Sequence, residues 1–238
     1  MSPRPLRPPS SPSAAFVCRM PPIWIFDLDN TLHHASPGVF PHINRMMTAY
    51  IMRHLDIAED EAQRLRAAYW RRYGATLTGL VRHHAVDPLH FLQATHPIDE
   101  LLPLVRFDPQ LQRTFARLPG RKVLLSNGPS WYCAGILERL GIDRHFSAQF
   151  AIESADFLPK PDVRGYRAVL AHLRAPASRC IMVEDARVNL RTAKRLGMRT
   201  VWIAPGQVAT PGYVDHRIAH IAQLLGLPHS ATANSKRP

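Results

Sequence analysis

Cysteine is scarce in this chain of 238 residues. Its three cysteines, Cys18, Cys133 and Cys180, are odd in number and widely spaced, and no C-x-x-C pair occurs. This usage excludes a disulfide-rich scaffold and a zinc site built on paired thiolates. It favours free thiols in a reducing compartment, so we predict a cytoplasmic location.

Long apolar runs are also absent. No stretch approaches the roughly 20 apolar residues that cross a bilayer, and residues 14–17 are too short for the core of a signal peptide. A composition of 46% hydrophobic and 20% charged residues is that of an ordinary globular protein. We expect no membrane partner, and one large domain or one domain with an insertion.

Acidic residues and lysine are both in short supply. Thirty Lys and Arg residues face 18 Asp and Glu residues, which gives a net charge of +12, yet only four of the basic residues are lysine. The basic residues are scattered and no aromatic–basic RNA-binding signature occurs, so we do not expect nucleic acid as a partner. A basic surface would also steer a small phosphorylated anion to the protein. A nucleic-acid-binding protein is kept as the alternative from another functional class.

Short apolar strands alternate with amphipathic helices over most of the chain. This order predicts an α/β fold, a Rossmann-like doubly wound parallel sheet. The predicted strands are Ile23–Phe26, Lys122–Leu125, Phe150–Ile152, Cys180–Val183 and Thr200–Ile203. Residues 22–37 and 101–227 are assigned to this core, with a last helix over Ile218–Leu225. The proline-rich segment 1–21 is predicted to be a disordered leader, and 228–238 a disordered tail.

A helical insertion is predicted between the first two strands, over residues 38–100. One apolar helical face begins near Ile43, and a second helix covers Glu59–Tyr73 with Gly74 placed to end it. Two shorter helices follow, over Thr78–His84 and from Asp87-Pro88, where Asp is an N-cap and Pro the first helical residue. The insertion is therefore predicted to be α-helical throughout.

Polar residues stand where the predicted strands end. Asp27 and Asp29 follow the first strand, Ser126 the second, and Glu184-Asp185 the fourth. In open α/β sheets, chemistry sits beyond the carboxyl ends of the strands. Carboxylates held together there repel one another and lose hydration unless a cation and a polar substrate share the gap.

These residue types together can carry out phosphoryl transfer. The carboxylates of Asp27 and Asp185, with the main-chain carbonyl of Asp29, would suit Mg²⁺. Asp27 would attack phosphorus and form an aspartyl-phosphate. Asp29 would protonate the leaving alkoxide and then deprotonate the hydrolytic water. Lys160 and Ser126 would hold the transferring group.

The segments D-L-D-N-T, Ser126, Lys160-Pro161 and V-E-D-A-R-V-N resemble, in order, the four motifs of the haloacid dehalogenase-like (HAD) hydrolases. Most members of that superfamily are Mg²⁺-dependent phosphatases, and the likeness covers about residues 22–225. It implies that Asp27 is the nucleophile and Asp29 the acid/base. It also implies that Asp185 is the principal acidic metal ligand besides Asp27, and that Glu184 lies behind these ligands or contacts the metal through water. The helical insertion is similar to a C1-type cap.

Within the insertion, the segment from Tyr73 to Leu80 resembles the Y-G-x-x-x-x-G-L segment of HAD pyrimidine 5′-nucleotidases. The resemblance implies UMP and CMP as substrates. Tyr73 and Thr76 would then bind the substrate together with Ser126, Asn127 and Lys160. The alternative is that Gly74 only ends a helix and that the leucines only pack.

Several alternatives share the same core residues. A sugar-phosphate or phosphoglycolate phosphatase is the enzymatic alternative, and a phosphomutase is a further one. A dehalogenase is disfavoured because it has no leaving alkoxide for Asp29 to protonate. The paired histidines His33-His34 and His83-His84 are expected to be loop and helix-surface residues, not metal ligands. We expect a monomer or a homodimer.

Overall fold

A six-stranded parallel sheet forms the centre of the protein, as seen in a computed structural model that describes residues 21–228. The strand order is β3-β2-β1-β4-β5-β6. The strands are β1 (Ile23–Phe26), β2 (Arg121–Leu125), β3 (Ala148–Phe150), β4 (Cys180–Glu184), β5 (Arg199–Ile203) and β6 (His216–Ile218). Because β1 pairs with β2 on one side and β4 on the other, its carboxyl end lies in the middle of the sheet.

Helices cover both faces of the sheet, which confirms the predicted doubly wound α/β fold. They are α1 (Val39–Leu55), α2 (Glu59–Tyr73), α3 (Thr76–His84), α4 (Pro88–Thr95), α5 (Ile98–Leu101), α6 (Leu111–Arg117), α7 (Ser130–Leu140), α8 (Val163–Leu173) and α9 (Arg187–Arg195). Short 3₁₀ segments occupy Leu102–Leu104, Asp143–His145, Ile152–Ala155, Ala177–Arg179 and Ile221–Gly226. None of the helices within residues 21–228 is both long and apolar enough to span a membrane.

Alternation along β1 builds two hydrophobic layers. Trp24 and Phe26 belong to the layer that α5, α6 and α7 cover. Ile23 and Ile25 belong to the opposite layer, under α8 and α9. Because successive side chains of a strand point to opposite faces, a strand buried on both sides is apolar at every position. All four residues of β1 are buried, so the position of the strand is well defined. The next residue, Asp27, therefore lies at the carboxyl edge of the sheet.

Helices α1 to α4 form a third apolar cluster between β1 and β2. Its buried residues include Tyr50, Leu80 and Phe91. Ile152 is also a buried member, and Trp131 and Phe157 pack against the cluster, so the helical insertion rests on core residues beyond β2 and β3. The first turn of α1 packs with the core instead, through Val39 and Ile43.

The ends of the insertion helices follow the local sequence signals. Helix α2 has the predicted bounds, and Gly74 ends it with φ of +79°. Asp87 accepts a hydrogen bond from the His90 backbone N–H at 2.7 Å, as an N-cap does, with Pro88 in the first turn. Helix α3 begins two residues earlier than predicted, at Thr76.

The predicted final helix over Ile218–Leu225 is confirmed only in part. The structure has the edge strand β6, which ends at Ile218, and then a 3₁₀ segment over Ile221–Gly226. The third strand also lies two residues earlier than predicted, at Ala148–Phe150. The predicted leader 1–21 and tail 228–238 lie outside the described residues, apart from positions 21 and 228.

Candidate active site

The predicted strand-tip residues meet at the carboxyl edge of the sheet. Asp27 extends the β1 ladder by one hydrogen bond, from its backbone N–H to the Val183 carbonyl at 3.0 Å. The backbone N–H of Ser126 donates in the same way to the Phe150 carbonyl at 2.9 Å. These continued ladders hold the two side chains where their strands end.

Lys160 joins two of the carboxylates. Its Nζ donates to Asp27 Oδ1 at 2.6 Å and to Glu184 Oε2 at 2.8 Å. The exposed fractions of Lys160, Asp27 and Glu184 are 5%, 6% and 1%, so the ion pairs are shielded from water. Sequence analysis placed these three residues in one site, and the structure brings them into direct contact.

Asn127 anchors the backbone of Lys160. Its Oδ1 accepts a hydrogen bond from the Lys160 backbone N–H at 2.7 Å, and its Nδ2 donates to the Lys160 carbonyl at 3.3 Å. Sequence analysis assigned Asn127 to the substrate. In the structure its amide group is hydrogen-bonded to the segment that carries the buried lysine.

Burial and crowding perturb the acids of this site. Burial, followed by the charge of Glu184, raises the pKa of Asp27 to about 7. Burial and the neighbouring Asp185 raise the pKa of Glu184 to about 7, although Lys160 acts against this shift. Burial and then Asp27 raise the pKa of Asp185 to about 6. Burial and crowding thus disfavour the ionised forms of these acids, and a cation among them would favour those forms.

The residues present fit a magnesium ion. Ligand oxygens of Asp27, Glu184 and Asp185 lie within 4.8 Å of one another, and carboxylate oxygens are the donors that Mg²⁺ prefers. Glu184 already uses Oε2 for Lys160 and Oε1 for the Ala186 backbone N–H at 3.1 Å. Asp27 and Asp185 are therefore the better placed side-chain ligands.

Ser126 lies beside this group in a buried turn. Its Oγ accepts a hydrogen bond from the Gly128 backbone N–H at 3.0 Å, and the residue is 2% exposed. The hydroxyl can donate one further hydrogen bond, and it lies within reach of the Cys133 sulfur. A phosphate oxygen bound in the site would be a second acceptor for this proton.

Asp29 has two side-chain partners that sequence analysis did not identify. Tyr132 donates its hydroxyl to Asp29 Oδ1 at 2.5 Å, and His33 Nε2 lies 2.9 Å from the same oxygen. Burial would raise the pKa of Asp29, but the hydrogen bond and charge of His33 and the Tyr132 hydrogen bond outweigh it, and that pKa is lowered. His33 is a loop residue, as expected, yet it is 2% exposed.

The other two predicted substrate residues lie in the insertion and are engaged there. The Tyr73 hydroxyl lies 2.6 Å from His83 Nε2, and Thr76 Oγ1 donates to the Arg66 carbonyl at 3.1 Å. Gly79 has no room for a side chain, since a Cβ there would lie 2.2 Å from the Tyr69 ring. Packing within the insertion is therefore sufficient to explain several of the residues in the Y-G-x-x-x-x-G-L segment. The structure does not bring Tyr73 or Thr76 into hydrogen-bond contact with the strand-tip residues.

A cavity of about 480 Å³ opens beside Asp185. The loop after β1 lines one side of it, and the ends of β5 and of the segment after β6 line the other. Its lining includes His33, Asp185, Trp202 and His220. The Trp202 Nε1 donates to the Asp185 carbonyl at 2.8 Å, so the indole also fixes the backbone of this acidic residue.

The doubly wound fold, with carboxylates where its strands end, indicates a hydrolase. The family model of the haloacid dehalogenase-like hydrolases matches residues 23–197, and the chain belongs to this family. The match confirms the resemblance at the level of the superfamily.

Individual relatives are more distant. The chain is 27% identical over 230 residues to a phosphoglycolate phosphatase of Pectobacterium atrosepticum, covering 89% of this chain and 94% of that protein. It is 26% identical to phosphate metabolism protein 8 of Saccharomyces cerevisiae over 74% of this chain, but spans only 59% of the yeast protein. The crystal structure of a HAD phosphatase from Thermococcus onnurineus superposes with a TM-score of 0.66 at 19% identity, covering 86% of this chain and 96% of that one. This last likeness shows the fold alone.

Proposed function

We propose that the protein is a Mg²⁺-dependent phosphomonoesterase that acts on a small phosphorylated metabolite. The observation that carries the proposal is the buried Asp27–Lys160–Glu184 group beside Asp185, at the carboxyl end of the central strand. A nucleophilic carboxylate, a buried cation and spare acidic ligands are what phosphoryl transfer to an aspartate requires.

We propose a role for each residue of the site. The Asp27 oxygen that is not bound to Lys160 attacks phosphorus, and the bond from phosphorus to the ester oxygen breaks. Asp29 gives a proton to the departing oxygen and later takes one from the water that hydrolyses the aspartyl-phosphate. Lys160 Nζ and the Ser126 hydroxyl stabilise the charge of the transferring group. Asn127 supports this step by holding the backbone of Lys160.

Asp27 and Asp185 would hold Mg²⁺, with Glu184 behind them. When bound, the ion offsets the repulsion between the attacking carboxylate and the anionic phosphate. We expect its binding to relieve the electrostatic cost of gathering three acids in one buried place.

A short phosphorylated acid or sugar is the favoured substrate class. Several relatives of 26–29% identity are named phosphoglycolate phosphatases, which favours this class over pyrimidine nucleotides. In the Tyr73–Leu80 segment, whose resemblance implied UMP and CMP, Gly79 and Thr76 make their contacts within the insertion. We further propose that helices α1 to α4 act as a C1-type cap, since they lie between the nucleophile strand and β2. The buried free thiols of Cys133 and Cys180 agree with the cytoplasmic location that we propose.

Hydrolysis of p-nitrophenyl phosphate tests the reaction class. We expect turnover with Mg²⁺, loss of turnover with EDTA, and a fall of at least about 10⁴-fold in kcat for Asp27→Asn, because the nucleophile is removed. The matched control is Asp162→Asn, which removes an N-cap carboxylate at the start of α8, outside the catalytic group. Equal activity of wild type and Asp27→Asn would contradict the mechanism.

A substrate panel tests the specificity. Phosphoglycolate and sugar phosphates should give higher kcat/KM than UMP, CMP and AMP. The reverse order would restore the pyrimidine nucleotidase interpretation. Transfer of the phosphoryl group to a second hydroxyl, instead of release of phosphate, would indicate a phosphomutase. Salt-sensitive nucleic-acid binding without any turnover would favour the binding-protein alternative.

A further inference from the structure

We propose that Tyr132 and His33 are positioning residues for the acid/base Asp29, and that they turn one of its oxygens toward the leaving group. The inference rests on the proposed phosphomonoesterase function. Neither residue lies in the segments that define the four motifs, and both were absent from the predicted site.

Both partners meet the same oxygen of Asp29. The Tyr132 hydroxyl is 2.5 Å and His33 Nε2 is 2.9 Å from Oδ1, and the two partners lie 3.5 Å from each other. Within residues 21–228, the Oδ2 atom of Asp29 makes no hydrogen bond. The carboxylate is therefore saturated on one side and available on the other.

The surroundings of His33 indicate which of its nitrogens carries the proton. The side chain is fully buried, and Nδ1 has no hydrogen-bond partner. A buried N–H without an acceptor is costly, so a hydrogen is better placed on Nε2, which faces Asp29, than on Nδ1. The Nε2–H therefore donates to Asp29 Oδ1. Both Tyr132 and His33 are thus donors to Oδ1.

The loop after β1 is folded so that His33 can reach back to Asp29. Asn30 adopts a left-handed conformation with φ of +60°. Its Oδ1 accepts hydrogen bonds from the Ala35 backbone N–H at 3.1 Å and from the Ser36 backbone N–H and Oγ at 3.0 and 3.1 Å. This turn brings His33 beside the residue four positions before it.

The ring of Tyr132 is fixed as firmly. It is 1% exposed and packs edge-on against His96, with 5.6 Å between the ring centroids. On another side it fills the space above Gly128, where a Cβ would lie 2.6 Å from Tyr132 Cδ1. Tyr132 lies in the first turn of α7, so the helix that follows β2 carries the hydroxyl to the residue that follows β1. A rigid donor on each side would restrict rotation of the Asp29 carboxylate.

The prediction concerns how the rate depends on the leaving group. p-Nitrophenolate departs without much help from an acid, whereas phenolate is more basic and gains more from protonation. A misdirected Asp29 should therefore slow phenyl phosphate more than p-nitrophenyl phosphate. The ratio of their kcat/KM values isolates this effect because a general loss of folded enzyme lowers both equally.

The experiment measures this ratio in wild type, Asp29→Asn, Tyr132→Phe, His33→Leu and His33→Gln, with Mg²⁺ present. Asp29→Asn removes the acid itself and should therefore give the largest change in the ratio. We expect Tyr132→Phe and His33→Leu each to raise the p-nitrophenyl to phenyl ratio about tenfold, and the double variant to approach Asp29→Asn. His33→Gln, whose amide nitrogen can take the place of Nε2, should restore most of the wild-type ratio.

Tyr50→Phe is the matched control, since it removes a buried tyrosine hydroxyl that lies 2.9 Å from His90 Nδ1 in the insertion. Its ratio should equal that of wild type. An unchanged ratio in Tyr132→Phe and His33→Leu, with both substrates slowed alike, would overturn the inference but leave the phosphatase intact. Lack of turnover by wild type on either ester would instead overturn the proposed function, and this inference with it.

Discussion

At the scale of single residues, the site depends on one buried lysine. Lys160 Nζ contacts Asp27 and Glu184 within 2.8 Å, and burial alone would lower its pKa. The two carboxylates outweigh that effect and raise the pKa of Lys160, so the ammonium form is retained. The lysine and the two carboxylates can all be buried because each is paired with a group of opposite charge.

Removal of this lysine should therefore cost more stability than removal of an exposed one. For Lys160→Met without Mg²⁺ at pH 8, we expect a loss of about 3–5 kcal/mol in the free energy of unfolding, because two buried carboxylates lose their partner. Lys194→Met is the matched control. Its Nζ lies 2.5 Å from Asp215 but the side chain is 37% exposed, so a loss under about 1 kcal/mol is expected. Urea unfolding of both variants measures the difference, and equal losses would contradict it.

His96 should make stability depend on pH. Burial is the largest influence and lowers its pKa to about 4, against the smaller opposing effect of Asp29. The unfolded chain then binds more protons than the folded protein between pH 6.5 and 4. Stability is full above about pH 6.5 and is lost as the pH falls through that window, by up to about 3 kcal/mol.

His96→Asn should flatten this part of the stability profile, because the titrating ring is gone. The Asn side chain keeps a polar group near the Thr95 hydroxyl and the Leu92 carbonyl, which now lie 3.0 and 3.2 Å from Nδ1. Chemical unfolding at several values between pH 4 and 7 gives the two slopes. Identical slopes in wild type and variant would exclude His96 as their source.

At the scale of elements, the turn that precedes β2 packs closely against the backbone that precedes β1. Gly120 has φ of +100°, and a Cβ there would lie 2.2 Å from the Pro22 carbonyl oxygen, just before β1. The turn thus packs the starts of the neighbouring strands β1 and β2 against each other. Only glycine satisfies both the backbone angle and the close approach.

We expect Gly120→Ala to lower the free energy of unfolding by about 2–4 kcal/mol, since it adds a backbone clash to left-handed strain. Gly74→Ala is the control with φ of +79° and no atom within 4 Å of the added Cβ, so about 1 kcal/mol is expected. Thermal or urea unfolding compares the pair. A Gly74→Ala loss as large as that of Gly120→Ala would show that the close approach is unimportant.

The elements that sequence analysis located are those whose signals are local. Helix α2 has acids in its first turn, arginines in its last and a glycine after it, and its bounds were predicted correctly. Strand β6 has only three residues, His216, Arg217 and Ile218, and it is formed by pairing with β5. A sequence of three residues does not distinguish such an edge strand from the start of a helix. The strand conformation is set by its pairing with β5.

At the scale of the whole molecule, the site is assembled from distant segments. The strand-tip acids could be predicted because a carboxylate after a buried strand is unusual in sequence. Tyr132 and His33 could not, because their contacts with Asp29 depend on how α7 and the loop after β1 approach each other. The position of a motif residue can be read along the chain, but the partners that orient it are set by packing between elements.

The order of strands has a consequence for synthesis of the protein. Strand β1 is made long before β4, yet the two strands are neighbours in the sheet, with Ile23 paired to Cys180. A nascent chain that has not yet released β4 from the ribosome leaves one edge of β1 without its partner and Asp27 without the Val183 carbonyl. Such long-range pairing slows folding and exposes strand edges in the meantime. The proposed catalytic centre is therefore completed only after β4 has been translated.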